Sequence, residues 1–192
     1  VRALRHRLPD GAATTVHAAV YPRGRVAVRV VALDAPEPLT GWCARTGVRD
    51  ALVGGFFVTP VGTPLGELWV AGARLPSVPF DPPWGPGRSC VAVHDGVVEL
   101  DRRAGLPAAP RGDLLQAGPL LVRDGRPVVR DGEDPEGFSA GRAQFDSDIT
   151  AGRHPRAALG VSRERLIAVA CEGRCEGEAG LTLGELARPR PR

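Results

Sequence analysis

The stretch CVAVHDGVVEL, Cys90 to Leu100, decides the fold class, because two apolar arms flank the dipeptide Asp95-Gly96. Asp-Gly accepts the positive backbone φ angles of a type I′ turn, so the stretch predicts a β-hairpin. The stretch LLVRDGRPVV, residues 120–129, repeats the pattern and predicts a second hairpin. Two hairpins in a chain with 25 Gly and 19 Pro indicate a loop-rich protein built mainly from strands.

Further strands are predicted on both sides of the hairpins. Residues 16–33 contain RVAVRV, in which Val26, Val28 and Val30 alternate with Arg or Ala as in a half-buried strand. Near the C-terminus, the apolar segments AALGV and LIAVAC predict two strands joined by SRER.

The segment ALVGGFFV, residues 51–58, predicts a buried strand interrupted by Gly54 and Gly55. Two glycines inside such a segment indicate either a bulge or a backbone that another group approaches closely. We expect Phe56 and Phe57 to lie in the core.

Two short helices complete the predicted elements. One lies within residues 36–50, beginning near Thr40 and ending at Gly47. The other begins in LTLGELA, where Thr182 and Glu185 have the spacing of a capping box, and the prolines of RPRPR end it after barely one turn.

The 192 residues are predicted to form one α+β domain. It spans residues 1–187, with a mixed β-sheet, hairpins and a few short helices, and an Arg/Pro tail follows at 188–192.

Charge and hydropathy narrow the classes of function. All 25 basic residues are Arg, and they are scattered as in a GC-rich bacterial coding sequence rather than clustered as in nucleic-acid-binding proteins. No apolar run approaches ~18 residues, which excludes a membrane-spanning helix. The N-terminal residues lack the apolar core of a secretory signal, so we expect a cytoplasmic protein unless a leader has been removed.

The cysteines allow two interpretations. Cys171 and Cys175, in CEGRC, have no second Cys pair or nearby His at zinc spacing. They either form a local disulfide across a turn or remain free, and a cytoplasmic location favours free thiols.

Chemistry-bearing residues concentrate after the second hairpin. Residues 131–153 have no sustained apolar period and predict a long irregular loop. Within it, Asp146 and Asp148 can bind a divalent cation or divide acid and base roles, although a solvated acidic turn is the commoner meaning of this spacing. His154 and Arg156 follow, and Arg156 precedes a strand either as a charge at a sheet edge or as a fork for phosphate.

Six segments in order resemble the phosphodiester glycosidase family over about residues 50–187: LVGGFF, PLGEL, LLQAGPLLVRDG, RHPRAALGV, AVACEGR and GLTLGELA. The resemblance implies an α+β domain that hydrolyses a sugar linked through its anomeric oxygen to a phosphodiester. The partner is then a small-molecule or glycan sugar phosphodiester, with neither nucleic acid nor membrane. No cofactor is required by the pattern, and a divalent cation remains an option.

The resemblance also assigns residues. Arg156 matches the family's Pro-Arg before a strand, Glu172 to Arg174 match its Asp-Gly-Arg, and Gly54 and Gly55 match its Asn-Gly-Gly. The expected catalytic residues are Glu172 and, singled out by their spacing, Asp146 and Asp148. The expected substrate-binding residues are Gly54, Gly55, Gln116, His154, Arg156 and Arg174.

Three departures from the family pattern qualify these expectations. Val53 replaces Asn, Glu172 replaces Asp, and the sequence lacks the strand and acidic Gly-rich loop that follow the last helix in the family. The alternative is therefore an inactive sugar-phosphate-binding domain or a truncated product without function.

Overall fold

A computed structural model describes residues 1–58, 62–138 and 149–188. The described strands and helices are β1 Arg2–Arg7, β2 Ala13–Pro22, α1 Leu39–Thr46, β3 Phe56–Val58, β4 Thr63–Leu65, β5 Leu68–Val70, β6 Ala73–Arg74, β7 Ser89–His94, β8 Val97–Arg102, β9 Asp113–Gln116, β10 Val122–Arg123, β11 Arg126–Pro127, β12 Arg156–Val161, β13 Arg165–Cys171 and α2 Leu183–Ala187. Short 3₁₀ turns lie at Gly85–Gly87 and Arg103–Gly105. None of the described helices is long and apolar enough to cross a membrane.

The strands form two main sheets and two small ladders. The four-stranded sheet has the order β1-β2-β13-β12, and the five-stranded sheet has the order β6-β5-β9-β7-β8. Every strand ladder among the described residues is antiparallel, so the predicted mixed sheet is wrong. Tight turns account for the ladders between consecutive strands, because a tight turn joins antiparallel neighbours. The ladders β2–β13, β5–β9 and β7–β9 join strands that long connections separate.

Both Asp-Gly hairpins are confirmed. Asp95 and Gly96 have φ angles of 48° and 76° between β7 and β8, and Asp124 and Gly125 have 51° and 73° between β10 and β11. Positive φ at both central residues is the signature of a type I′ turn. The strands β12 and β13 also form where AALGV and LIAVAC predict them.

The two main sheets pack on each other at one end. Val93 and Val98 of the five-stranded sheet join Leu166 of the four-stranded sheet in one apolar cluster, which Leu159 and Val161 extend. A second cluster, around Val16 and Cys171, covers the other end of the four-stranded sheet, and α2 packs beside Val129. The core is thus divided among several small clusters.

Residues 25–30 do not form the predicted strand. Their burial alternates as the pattern requires, and Val26 and Val28 pack against the cluster between the sheets, yet the segment joins no ladder. The backbone N–H of Val30 donates instead to Asp113 Oδ2 at 2.8 Å. A side-chain carboxylate from another strand thus replaces the missing ladder partner.

The prediction for residues 51–58 is wrong in extent and burial. Only Phe56–Val58 is a strand, and Phe57 is 51% exposed rather than in the core. The close approach that the two glycines indicate is confirmed: a Cβ on Gly54 would lie 2.5 Å from Leu115 Cδ2, and one on Gly55 3.1 Å from Leu115 Cδ1. The backbone therefore lies directly on the Leu115 side chain.

The predicted end of α1 and the predicted start of α2 are confirmed. The helix α1 ends before Gly47, whose φ of 72° is the left-handed conformation usual at a helix C-terminus. At α2, Glu185 N donates to Thr182 Oγ1 at 3.0 Å and Thr182 N donates to Glu185 Oε2 at 2.9 Å, which completes the capping box. None of the four cysteines, all of which lie in the described residues, forms a disulfide.

Candidate functional site

Four of the expected site residues lie at the end of the ladder where β12 begins and β13 ends. Arg156 opens β12 opposite Cys171, the last residue of β13, so His154 and Glu172 flank the same end of the ladder. We call His154, Arg156, Glu172 and Arg174 the β12–β13 site. The antiparallel pairing of two strands joined by a short turn is sufficient to bring these sequence-distant residues to one sheet end.

Two glycines allow the surrounding loops to close on this end. A Cβ on Gly173 would lie 2.6 Å from Pro155 N, and one on Gly180 would lie 2.6 Å from His154 O. Beside Gly180, His154 and Leu181 exchange backbone hydrogen bonds of 3.2 and 3.1 Å in an isolated antiparallel bridge. Any side chain at either glycine would push the loops apart.

Arg174 and His154 form a hydrogen-bonded pair. Arg174 Nη2 donates to His154 Nδ1 at 3.0 Å, and His154 Nε2 lies 2.9 Å from Ala151 O. Because a guanidinium can only donate and a carbonyl can only accept, Nδ1 is the acceptor and Nε2 carries the proton. In this arrangement Nδ1 of His154 orients the exposed guanidinium of Arg174.

The guanidinium of Arg156 donates its hydrogen bonds to backbone carbonyl groups of neighbouring loops. Its Nε donates to Leu181 O at 2.6 Å, and its Nη2 donates to Ile149 O at 2.9 Å and to Gly152 O at 3.2 Å. Burial lowers the pKa of this guanidinium, although nearby acidic groups oppose the shift. Arg156 thus fastens the loop before β12 to the segment that leads into α2.

Glu172 has a partner that sequence reasoning missed. His17 Nε2 lies 3.0 Å from Glu172 Oε1, with the two side chains 38% and 51% exposed. The backbone around Glu172 is fixed, because its N–H donates to Thr15 O at 2.9 Å and its carbonyl accepts from Thr14 Oγ1 at 2.8 Å. The available signal was the alternation in TTVHAAV, which puts His17 on the opposite face from buried Val16.

The remaining expected residues do not join this site. Leu115, against which Gly54 and Gly55 pack, pairs with Val91 on the face of the five-stranded sheet that meets the four-stranded sheet. Gln116 is the next residue along β9, so its side chain lies on the opposite face. The structure therefore separates Gln116 from the two glycines by the thickness of a sheet.

Gln116 lines a cavity of about 420 Å³ whose walls include Glu67, Arg103 and Phe80. Its Nε2 donates to Gly85 O at 2.5 Å, and its Oε1 accepts from Glu67 N at 3.0 Å. Both ends of the amide are thus engaged within the protein.

The charges in that cavity are also paired. Arg103 binds Glu67 through two hydrogen bonds of 2.6 and 3.0 Å, and Trp69 Nε1 donates to the same carboxylate at 2.7 Å. Burial acts to raise the pKa of Glu67, but the hydrogen bonds from Arg103 and Trp69 outweigh it and leave the pKa below its ordinary value. Glu67 and Arg103 therefore line the cavity as a pair whose charges bind each other.

Asp146 and Asp148 lie in residues 139–148, outside the described residues. In the described ranges, no cluster of three or more His, Cys, Asp or Glu residues is arranged to hold a metal ion.

The described part of the predicted irregular loop contains a buried carboxylate that the sequence did not reveal. Glu136 is 1% exposed and accepts hydrogen bonds from Ser89 N at 2.8 Å, Ser89 Oγ at 2.7 Å and Leu120 N at 2.8 Å. Beside it, the guanidinium of Arg88 lies 3.7 and 4.1 Å from the ring centres of Phe80 and Phe138. These contacts anchor the loop to β7.

Comparison with known proteins assigns the chain to a family and a fold. A family model described as phosphodiester glycosidase matches residues 46–189. A hypothetical protein from Synechocystis is similar in structure, with a TM-score of 0.50, 19% identity, and coverage of 96% of this chain and 52% of that one. No curated protein matches the sequence.

A second similar structure is the zebrafish N-acetylglucosamine-1-phosphodiester α-N-acetylglucosaminidase catalytic domain, auto-inhibited by its pro-peptide. Its TM-score is 0.52 at 16% identity, covering 97% of this chain and 64% of that one. The present chain thus spans between half and two thirds of the length of these two structures.

Proposed function

Because this chain belongs to the phosphodiester glycosidase family, we propose that it hydrolyses a sugar 1-phosphodiester at the β12–β13 site. The sugar carbon C1 loses its bond to the phosphate oxygen, water supplies the new oxygen, and a phosphomonoester leaves. The name of the zebrafish relative suggests N-acetylglucosamine as the sugar to try first.

The observation that carries the proposal is the guanidinium of Arg174, oriented by His154 Nδ1 at 3.0 Å. Among the described residues, this is the one side-chain hydrogen bond that Arg174 makes, and the side chain is exposed. Its other N–H groups are therefore available to a phosphate, for which the planar fork is suited. Charge on the leaving phosphomonoester would be stabilised in the same way.

Glu172 is the proposed acid or base of the reaction. It stands two residues before Arg174, and His17 holds one of its oxygens at 3.0 Å. The second oxygen can protonate a leaving oxygen or activate water, which are the roles that carboxyl groups take in glycoside hydrolysis. A pair of carboxyl groups is usual in that chemistry, and Asp146 and Asp148 remain the proposed partners.

Arg156 takes a different part from the one that its sequence position suggests. Its hydrogen bonds to Leu181, Ile149 and Gly152 support a positioning role, in which it holds the loops that carry His154. In this proposal Arg174 binds the phosphate, and Arg156 keeps in place the loops that carry His154.

The test uses UDP-N-acetylglucosamine as substrate and compares Arg174→Lys with Arg163→Lys, an exposed Arg in the turn after β12. Both variants keep the charge and lose the fork, so only the change at Arg174 should weaken phosphodiester binding, by ~1–3 kcal/mol. Equal sugar release and equal affinity in the two variants would contradict the assignment of Arg174.

A binding domain without hydrolysis is the second candidate. Glu172 is the one carboxylate among the four residues of the β12–β13 site, whereas hydrolysis usually employs two. Binding that depends on Arg174 without release of N-acetylglucosamine would favour this candidate.

A further inference from the structure

The loop that follows β13 is attached at both of its ends to strand β2. The N–H of Glu172 donates to Thr15 O at 2.9 Å, and the N–H of Ala179 donates to Ala13 O at 2.9 Å. We call residues 172–179 the exit loop. It carries both the carboxylate and the guanidinium to which the proposed function assigns chemistry, so its attachment to β2 bears directly on the site.

Between these two ends, the carboxylate of Glu178 binds the same hairpin. Its Oε2 accepts from Thr15 N at 2.6 Å, and its Oε1 accepts from Thr15 Oγ1 at 2.9 Å. Arg5 of β1 donates both to Glu178 Oε1 and to Gly177 O. The hydrogen bond from the backbone N–H of Thr15 holds the pKa of Glu178 below its ordinary value, so the carboxylate carries the charge that these donors favour.

Arg174, near the start of the exit loop, has a backbone conformation that an L side chain rarely adopts. Its φ is 59°, in the left-handed region. Three other non-glycine residues of the described part have positive φ, and each precedes a glycine in a tight turn: Ala71, Asp95 and Asp124. Arg174 instead precedes Cys175, whose carbonyl accepts from Glu178 N at 3.0 Å. Such a conformation persists where surrounding contacts fix it, and the exit loop supplies those contacts.

We propose that Glu178 is a positioning residue of the β12–β13 site, which aims Arg174 at the phosphate by fastening the exit loop to Thr15 and Arg5. This proposal rests on the proposed function, in which Arg174 binds the phosphodiester. With the exit loop fixed, the guanidinium stays 3.0 Å from His154 Nδ1. Less conformational freedom is then lost when the substrate binds.

The residues that bind Glu178 lie outside the region that the family model matches. Both belong to the hairpin β1–β2, whereas the match covers residues 46–189. The same hairpin supplies His17, the partner of Glu172. The hairpin therefore holds the proposed acid or base with one side chain and the phosphate-binding loop with others.

The first measurement reports the position of Arg174 without any ligand. In protein labelled with nitrogen-15 histidine, the chemical shift of His154 Nδ1 depends on the hydrogen bond that this nitrogen accepts from Arg174. Glu178→Ala should move this resonance toward its position in Arg174→Ala. The matched control, Glu176→Ala, removes an exposed carboxylate from the same loop and should leave the resonance in place. A resonance that Glu178→Ala leaves in place would overturn the proposal.

The second measurement is a double-mutant cycle on the dissociation constant of UDP-N-acetylglucosamine, determined by calorimetry. Because Glu178 acts through Arg174, Glu178→Ala should weaken binding about tenfold in the unmodified protein and less than about twofold when Arg174→Ala is already present. A general structural role would instead weaken binding by the same factor in both backgrounds, and that equality would overturn the proposal.

Glu178→Gln keeps the test decisive if Glu178→Ala does not fold, as thermal unfolding would show. Its amide retains an acceptor for Thr15 N but loses the charge that binds Arg5, so both readouts should change in the same direction by a smaller amount. A folded Glu178→Gln that changes neither readout would overturn the proposal.

The two measurements also separate this proposal from the proposed function. A shifted His154 resonance in Glu178→Ala, together with no binding of UDP-N-acetylglucosamine by the unmodified protein, would support the positioning of Arg174 by Glu178 and contradict the proposed substrate. Binding by the unmodified protein with an unmoved resonance in Glu178→Ala would do the reverse.

Discussion

Replacing Arg156 separates its two proposed roles, as an anchor of the backbone and as a direct ligand of phosphate. The guanidinium donates to the carbonyl groups of Leu181, Ile149 and Gly152. Arg156→Met keeps an unbranched apolar stem and removes all three hydrogen bonds. Arg156→Lys keeps the charge, but its compact head group cannot reach three separated acceptors at once.

The magnitude follows from these bonds. A net contribution of about 1 kcal/mol for each hydrogen bond predicts a loss of about 3 kcal/mol for Arg156→Met and ~1–2 kcal/mol for Arg156→Lys. Leu181 O retains the hydrogen bond from His154 N, which limits the loss at that acceptor. For a chain of this size, a loss of about 3 kcal/mol corresponds to a fall in Tm of roughly 6–12 °C.

Urea unfolding followed by tryptophan fluorescence measures the stability, and calorimetry with UDP-N-acetylglucosamine measures binding by the folded fraction. Arg163→Lys serves as the control and should leave the stability within about 0.5 kcal/mol of the unmodified protein. If Arg156 is an anchor, Arg156→Lys loses stability before it loses affinity. Unchanged stability with strongly reduced affinity would refute the reasoning and return Arg156 to the role of phosphate ligand.

Three further results are expected. Glu136→Ala should lower the free energy of unfolding by about 3 kcal/mol, because buried donors on Ser89 and Leu120 lose their acceptor, whereas exposed Glu133→Ala should have little effect in the same urea titration. Burial acts to raise the pKa of Glu185, but hydrogen bonds from Arg153 and Thr182 leave this pKa below its ordinary value of 4.5. The ionised Glu185 therefore stabilises the fold above pH 4.5, and this stabilisation is lost as the pH falls through the lower pKa of the folded state. Urea midpoints between pH 3 and 7 should accordingly fall less steeply with acidification in Glu185→Gln, and parallel curves would contradict this assignment. His17→Gln, which keeps a nitrogen donor near Glu172, should retain more hydrolytic activity than His17→Phe. The control His94→Phe, at the Asp95 turn, should leave activity unchanged. Equal losses of activity in the two His17 variants would show that His17 does not position Glu172.

Much of the local structure was predictable because its causes lie within a few residues. The φ angles of Asp95 and Gly96 depend on the conformational freedom of an Asp-Gly pair, and two flanking apolar arms suffice to form the hairpin. The capping box of α2 depends on Thr182 and Glu185, three positions apart. The ladder between β12 and β13 follows from two apolar segments joined by a short turn, and it is enough to bring Arg156 and Glu172 to one end of the sheet.

Only the tertiary structure decided the features that depend on partners distant in sequence. Val30 fails to form a ladder because its N–H finds Asp113, 83 residues away, and no local pattern announces that acceptor. His17 becomes the partner of Glu172 because β2 pairs with β13, a pairing between strands more than 140 residues apart that alternation alone does not specify. Arg156 likewise looked like a free cation in the sequence, and the carbonyl groups that converge on it exist only after the loops on both sides have packed. Local propensities thus determined the elements, and long-range hydrogen bonding determined which side chains remain available to a ligand.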